Sequence, residues 1–291
     1  MAEKRKLFMN GCGGVDQAIA LWYALQAPDV EVVGIGVASS EEGKGIRLVK
    51  KLVALTGLEG VVPVATGECG PLFGEGGQGQ PESGQAAARL LVDKAKEHEG
   101  ELTVVTLGPL TDLAKAVAID PGLPNRLKQV VVQGGAIRVP GNATAVAEAN
   151  LHADPEAAAF VLAAGLPLLL VPLDASEHIR LSPEARQGIL SKAAGMGIGQ
   201  ASDEIGAKLS GDGTRLVAWA TMIAALHSEY VHTQKMKLTI ECHSALSRGA
   251  VLADLRAKPS VGIDTQVAVD VDAEPFAAWL RNLSDADKER A

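Results

Sequence analysis

Leu7-Phe-Met-Asn-Gly-Cys-Gly-Gly-Val-Asp-Gln-Ala-Ile-Ala-Leu21 opens on a short apolar run, crosses a glycine-rich loop and closes on an apolar pattern at helical spacing. A strand that turns sharply into a helix is the building unit of a sheet with helices on its faces. The unit recurs along the chain. Apolar runs at 6–9, 31–37, 62–65, 102–106, 129–132 and 168–172 read as strands, and the stretches 16–26, 45–56, 84–99, 111–119 and 155–164 between them read as helices. The strands are continuous Val/Leu runs rather than alternating ones, as expected of parallel strands covered on both faces. Asp154 can cap the helix that Pro155 opens, because proline at the first position gives up no needed donor. The predicted class is α/β, with a mostly parallel central sheet flanked by helices. In such sheets ligands sit at the carboxyl ends of the strands. That directs attention to the loops after Met9, Val37, Val132 and Glu241, which are expected on one side.

The rest of the chain is less regular. Residues 182–214 are small, glycine-containing and polar, and read as short helices outside the sheet. A helix is predicted at 215–230, strands at 238–241 and 265–271, and a last helix at 275–283. The stretch 74–81 is too glycine-rich for either element and reads as a surface loop able to cover a site. No linker divides the chain, so residues 1–291 are expected to form one domain. With 47% hydrophobic and 21% charged residues it can bury a large core. The net charge of −8 with scattered basic residues argues against nucleic acid. No apolar run reaches the roughly 20 residues needed to span a membrane. The basic start is followed by a short strand and glycines rather than the long apolar stretch of a signal peptide. Cys12, Cys69 and Cys242 are odd in number and widely spaced, so no disulfide framework is expected. A soluble cytoplasmic protein is the expectation.

The first loop admits three readings. Gly11-Cys-Gly13 starts a dinucleotide fingerprint, but Asp16 stands where its last glycine belongs and would repel a phosphate. A plain tight turn would use Asp16 only as an acid favoured by the helix dipole. The third reading comes from a second segment. Val130-Val-Val-Gln-Gly-Gly-Ala136 is followed by Pro140-Gly-Asn-Ala-Thr-Ala-Val-Ala-Glu-Ala-Asn-Leu-His-Ala-Asp-Pro-Glu-Ala-Ala158. Here Asn142, Glu148 and Asn150 gather amide and carboxylate groups in one loop, the donor and acceptor set that sugar hydroxyls require.

This segment resembles the nucleoside hydrolases, which carry V-x-M-G-G and then G-N, A-E-x-N and D-P-E-A-A in that order. Thr106-Leu-Gly-Pro-Leu-Thr-Asp-Leu-Ala114 is similar to their T-x-G-P-L-T-N-L-A, and Leu173-Asp-Ala-Ser176 to their L-D-V-T. The first loop then resembles their D-x-D-P-G-x-D-D, whose carboxylates hold a calcium ion that activates water against an N-ribosidic bond. Asp16 and Gly14 match it; Asn10, Cys12 and Gln17 replace acids, and Gly13 replaces the proline. In Glu241-Cys-His-Ser-Ala-Leu-Ser247, His243 matches the histidine of the family's H-D-P-L-A, and Ser244 replaces its metal-binding aspartate. Where the family has a Gly-Asn pair after the second strand, this chain reads Gly36-Val-Ala-Ser-Ser40.

The resemblance implies a nucleoside-hydrolase-like fold and a riboside-binding pocket. Asn142, Glu148 and Asn150 would hold the sugar, with Asn10 and Ser39 as further contacts. Asp16 would act as general base and His243 as acid to the leaving base. Calcium needs six to eight oxygens with several carboxylates, whereas Cys12, Gln17 and Ser244 now stand at the charged positions and only the carbonyl of Val132 persists. No metal cofactor is therefore expected. Zinc would require Cys12, Cys242 and His243 to converge, yet adjacent residues on a strand point to opposite faces. Cys12 as a nucleophile would need a nearby base. The expected activity is metal-independent hydrolysis of an N-riboside, and the rival is a riboside-binding protein without turnover. Homo-oligomerisation is expected by family analogy alone.

Overall fold

The computed structural model describes residues 3–11, 13–38, 43–67, 70–72, 85–176, 179, 217–272, 274–275 and 278–279. In chain order these give β1 (Arg5–Asn10), α1 (Val15–Gln26), β2 (Val30–Ala38), α2 (Lys44–Leu55), β3 (Val64–Gly67), α3 (Ala86–Glu97) and β4 (Leu102–Thr106). There follow α4 (Thr111–Ile119), α5 (Leu123–Arg126), β5 (Leu127–Gln133), α6 (Ala149–Ala153), α7 (Pro155–Ala163) and β6 (Leu168–Val171). Last come α8 (Val217–Leu226), β7 (Val231–Ile240), β8 (Val251–Ala253) and β9 (Ile263–Val271).

The strands form one nine-stranded sheet in the order β3-β2-β1-β4-β5-β6-β9-β7-β8. All pairings from β3 to β9 are parallel. β7 runs against β9 and β8 against β7. The period-2 geometry of the strands sends their side chains into two cores. Leu7, Met9, Val105 and Val131 pack with α1, α2 and α8, through residues such as Leu21, Val49 and Trp219. Phe8, Val104, Val130 and Val132 pack with α3, α4 and α7, through Leu91, Leu113 and Val161. Each such buried Val or Leu contributes about 1.5–3 kcal/mol over its exposed state. Stability therefore resides in the sheet and its helices, and the loops at its carboxyl edge are free to carry polar groups.

The chain winds outward from the middle. From β1 it proceeds through β2 to β3 on one side, then returns through α3 to place β4 on the other side of β1. The loops leaving Asn10 and Thr106, which are opposite each other in register, therefore part toward different faces. A crevice at such a switch point is where ligands bind in open α/β sheets.

Apart from the short α5 and α6, which no pattern announced, the strands and helices of the first two-thirds lie within a few residues of the stretches that predicted them. Later segments differ. The helix expected at 215–230 stops at Leu226, and a short 3-10 turn (Ser228–Tyr230) leads into β7. β7 is much longer than the strand expected at 238–241, because only its second half carries the buried alternation Met236, Leu238, Ile240 while its first half is polar. α6 and β8 were not expected at all. The loop after β7 lies where the sequence placed it, beside the loop after β5: a Cβ on Gly135 would stand 2.7 Å from Val251, and His152 Nδ1 lies 3.0 Å from Arg248 O. The glycine-rich 74–81, the segment 182–214 and most of the helix predicted at 275–283 lie outside the described residues. Among the described residues no helix is long and apolar enough to cross a membrane.

Candidate functional site

The loop after β1 is shaped by what it lacks. Gly11 has φ 82°, and a Cβ there would lie 2.3 Å from the backbone nitrogen of Gly108, so only glycine lets the loops after β1 and β4 meet. Leu107 N closes the contact by donating to the carbonyl of Asn10 at 2.8 Å. α1 starts at Gly14 with no side-chain cap. Asp16, in its first turn, is half-buried, and its side chain makes no hydrogen bond or ion pair among the described residues. The helix dipole favours its charge. Gln17 Nε2 donates to the carbonyl of Leu107 at 3.2 Å, which leaves Gln17 Oε1 buried without a donor.

Asn10, expected to touch the sugar, is the last residue of β1. It shares strand parity with Phe8, so its side chain enters the core beneath α3 and is only 2% exposed. A Cβ on Gly36 would fall 2.2 Å from Asn10 Oδ1 and 3.1 Å from the methyl of Ala87. Asn10 Oδ1 is buried with no hydrogen-bond donor among the described residues. Cys12 and Ser39 lie outside the described residues.

The loop after β5 is shaped by its own side chains. Glu148 caps α6: its Oε2 accepts from the backbone nitrogens of Gly135 (3.2 Å), Asn150 (3.0 Å) and Leu151 (3.2 Å). The residue is 1% exposed, and burial pushes its carboxyl above the usual range while the backbone donors pull it down. All three bonds reach Oε2, so Oε1 is left to accept from a ligand. Asn142 Oδ1 accepts from Ala149 N at 2.8 Å, which leaves its NH2 to donate outward from an exposed position. Asn150 Nδ2 donates to Gln133 O at 3.2 Å and to Leu107 O at 3.5 Å, leaving its Oδ1 to accept. The sequence placed Glu148 and Asn150 in a loop; they form the cap and first turn of a short helix.

Three contributors were missed. Asp174 accepts from the backbone nitrogens of Ile137 (2.9 Å) and Arg138 (2.8 Å), tying the start of this loop to the 3-10 turn at Leu173–Ser176. Its signal was the L-D-A-S stretch itself, to which no role was given. Gln133 presents a buried Oε1 with no donor at the end of β5. The carbonyl of Leu107 gathers Gln17 and Asn150, and a backbone acceptor leaves no mark in a sequence.

The third segment packs against the second. Glu241 Oε1 accepts from His243 N (2.7 Å) and Ser244 N (2.9 Å), and Ser244 Oγ from Leu246 N and Ser247 N, so both residues shape a turn between β7 and β8. Arg248 clamps this turn to Glu156 of α7 with two bonds of 2.6 Å. The turn meets the sugar loop at the Ala147–Ala250 bridge, at the contact of His152 Nδ1 with Arg248 O at 3.0 Å, and at Gly249, where a Cβ would stand 2.5 Å from the His152 backbone. Among the described residues no contact joins His243 or Ser244 to Asp16 or Gln17.

The donor set does not suit calcium. Among the described residues the crevice joins Asp16, the one carboxylate of the first loop, with neutral amides and with Glu148, whose Oε2 is taken by three backbone amides, where calcium asks for several free carboxylates. Gln17 is moreover folded back, its Oε1 2.0 Å from where a Gly14 Cβ would stand. No group of three or more His, Cys, Asp or Glu among the described residues could hold an ion. Zinc fares no better at Cys242: burial pushes that thiol up, away from the thiolate a metal needs, and its Sγ donates to Pro155 O at 3.5 Å.

A profile of the inosine-uridine preferring nucleoside hydrolases matches residues 11–278. Uridine nucleosidase 1 of Arabidopsis thaliana is 31% identical over 207 residues, 63% of this chain and 61% of the relative. Probable uridine nucleosidase 2 of Oryza sativa subsp. japonica is 34% identical, over 60% of this chain and 58% of its own. The chain thus spans about three-fifths of the length of these two plant relatives. The pyrimidine-specific ribonucleoside hydrolase RihB of Escherichia coli (strain SE11) is 28% identical over 94% of this chain and 95% of the relative. Among solved structures, an inosine-guanosine nucleoside hydrolase superposes with a TM-score of 0.83 at 25% identity, covering 96% of this chain and 98% of the other. A plant nucleoside hydrolase, PpNRh1, superposes with a TM-score of 0.81 at 26% identity over the same shares.

Proposed function

Because this chain belongs to the inosine-uridine preferring nucleoside hydrolase family, we propose that it hydrolyses the N-glycosidic bond of a ribonucleoside or related N-riboside, and does so without calcium. One observation carries the reading. Gln17 and Asn150 converge on the carbonyl of Leu107, so the loop bearing Asp16 and the loop bearing Glu148 border one crevice. The groups left over there are mainly acceptors: Glu148 Oε1, Asn150 Oδ1 and the Asp16 carboxylate. A ligand must then bring several donors, as ribose hydroxyls do.

In this mechanism Glu148 and Asn150 accept from the sugar hydroxyls and Asn142 donates to one of them. Asp16 takes the proton of the attacking water. A carboxylate base supplies about 10²–10⁴-fold, while a metal that lowers the pKa of bound water supplies a further large term. Turnover on ordinary nucleosides is accordingly slow. His243, on the turn that meets the sugar loop at Ala147 and His152, donates the proton to the leaving base. The neutral amide of Gln17 in an acid's position favours a second reading, a riboside binder without turnover. A cytoplasmic setting and a homo-oligomeric state complete the proposal by analogy.

Free ribose, measured after incubation with a panel of ribosides in EDTA and again with added calcium, tests it. Release in EDTA that vanishes in Asp16→Asn supports the enzyme. Thermal stabilisation by ribosides without release supports the binder. Neither binding nor release overturns both, and calcium-stimulated turnover overturns the metal-free part.

A further inference from the structure

We propose that Gln17 is a positioning residue: its amide does by hydrogen bonding what a bridging cation would do, fixing the Leu107 carbonyl so that Asn150 faces the sugar. This rests on the crevice being the riboside site. The bonds involved link distant parts of the chain, Gln17 to Leu107 and Leu107 to Asn150. A carbonyl oxygen has two lone pairs and can receive both amides. The orientation of the Gln17 amide is forced, since turning it over would press Oε1 against another carbonyl oxygen. Its Oε1 instead lies over Gly14, where any Cβ would come within 2.0 Å.

The residue type at position 17 and a cation are therefore alternatives. A carboxylate there would face the Leu107 oxygen across the same distance with no proton between them, and would need a cation to be tolerated. Glutamine needs none. The latch explains how the sugar loop holds its place beside a first loop that has lost most of its acids.

The test uses the whole protein in EDTA and two readouts. Hydrogen exchange of the free protein reads the latch directly: in Gln17→Ala and Gln17→Glu, amides at 107–110 and 149–153 are expected to exchange several-fold faster, with melting temperature and distant β4 and β5 amides unchanged. Calorimetry with inosine and uridine reads its consequence. Gln17→Ala is expected to lose roughly fivefold to tenfold in affinity, and Gln17→Glu more. Adding Gln17→Ala to Asn150→Ala is expected to cost little beyond Asn150→Ala alone, since the latch acts through that residue. Unchanged exchange at both segments, wild-type affinity in Gln17→Glu, or additive losses in the double variant would each overturn the latch. If the wild type binds no riboside yet Gln17→Ala loosens 149–153, the proposed function fails and the latch stands.

Discussion

The loops after β1 and β5 leave the sheet on either side of β4, yet they are held by opposite means. The first is held by the absence of side chains, Gly11 against Gly108, and by one amide, Gln17 on Leu107. The second is held by side chains turned on their own backbone: Glu148 on three amides, Asn142 on Ala149, Thr144 Oγ1 on Ala147 at 3.0 Å, and Asp174 from outside. The difference shows two ways of holding a loop at the carboxyl edge of a sheet. A loop that satisfies its own backbone keeps its binding groups in place with nothing bound, and spends no ligand affinity on ordering them. A loop that relies on close backbone approach leaves acceptors such as Gln17 Oε1 unsatisfied, and depends on a partner across the crevice.

Removing the close approach should break the first loop most severely. In Gly11→Ala the new methyl meets the Gly108 nitrogen at 2.3 Å and the residue is held at φ 82°. The expected loss is about 3 kcal/mol, measured by urea unfolding. A loss below about 1 kcal/mol would mean that the β1 and β4 loops do not meet as described.

Removing the cap should break the second loop less. Glu148→Ala deletes the acceptor for three backbone amides, but also removes a carboxyl that burial disfavours. A net loss of about 1–2 kcal/mol is expected. In the same calorimetric titration, riboside affinity should fall by at least about tenfold, since the group between the loop and the sugar is gone. Wild-type affinity in this variant would remove Glu148 from the site.

The same contrast decides what the sequence revealed. Alternation of apolar runs and helical patterns made the parallel half of the sheet legible, and Asp154 before Pro155 marked a cap that the structure forms, with Asp154 Oδ1 accepting from Ala157 N at 3.1 Å. The β5 loop was legible because its folding is written in Asn, Glu and Asp at fixed spacing. The β1 loop was not: its shape rests on Gly11 meeting Gly108, a backbone contact that no side chain marks. A polar first half conceals the length of β7. The Leu107 hub could not be seen at all, since no side chain encodes a carbonyl's position.

The smallest effect sharpens the comparison most. Burial holds the Glu148 carboxyl above its usual range. Its folded-state pKa therefore exceeds the unfolded one, and its contribution to stability is fully present below the unfolded value and lost as pH rises through the raised one. Binding should run the other way, because the ionised Oε1 is the better acceptor for a sugar hydroxyl. Across that window the wild type should lose stability as pH rises while gaining riboside affinity. Glu148→Gln, which cannot ionise, should flatten both trends, as read by thermal melts and titrations at matched pH. Parallel rather than opposed trends, or a Gln variant that keeps them, would show that the β5 loop is not the self-folded acceptor platform that distinguishes it from its neighbour.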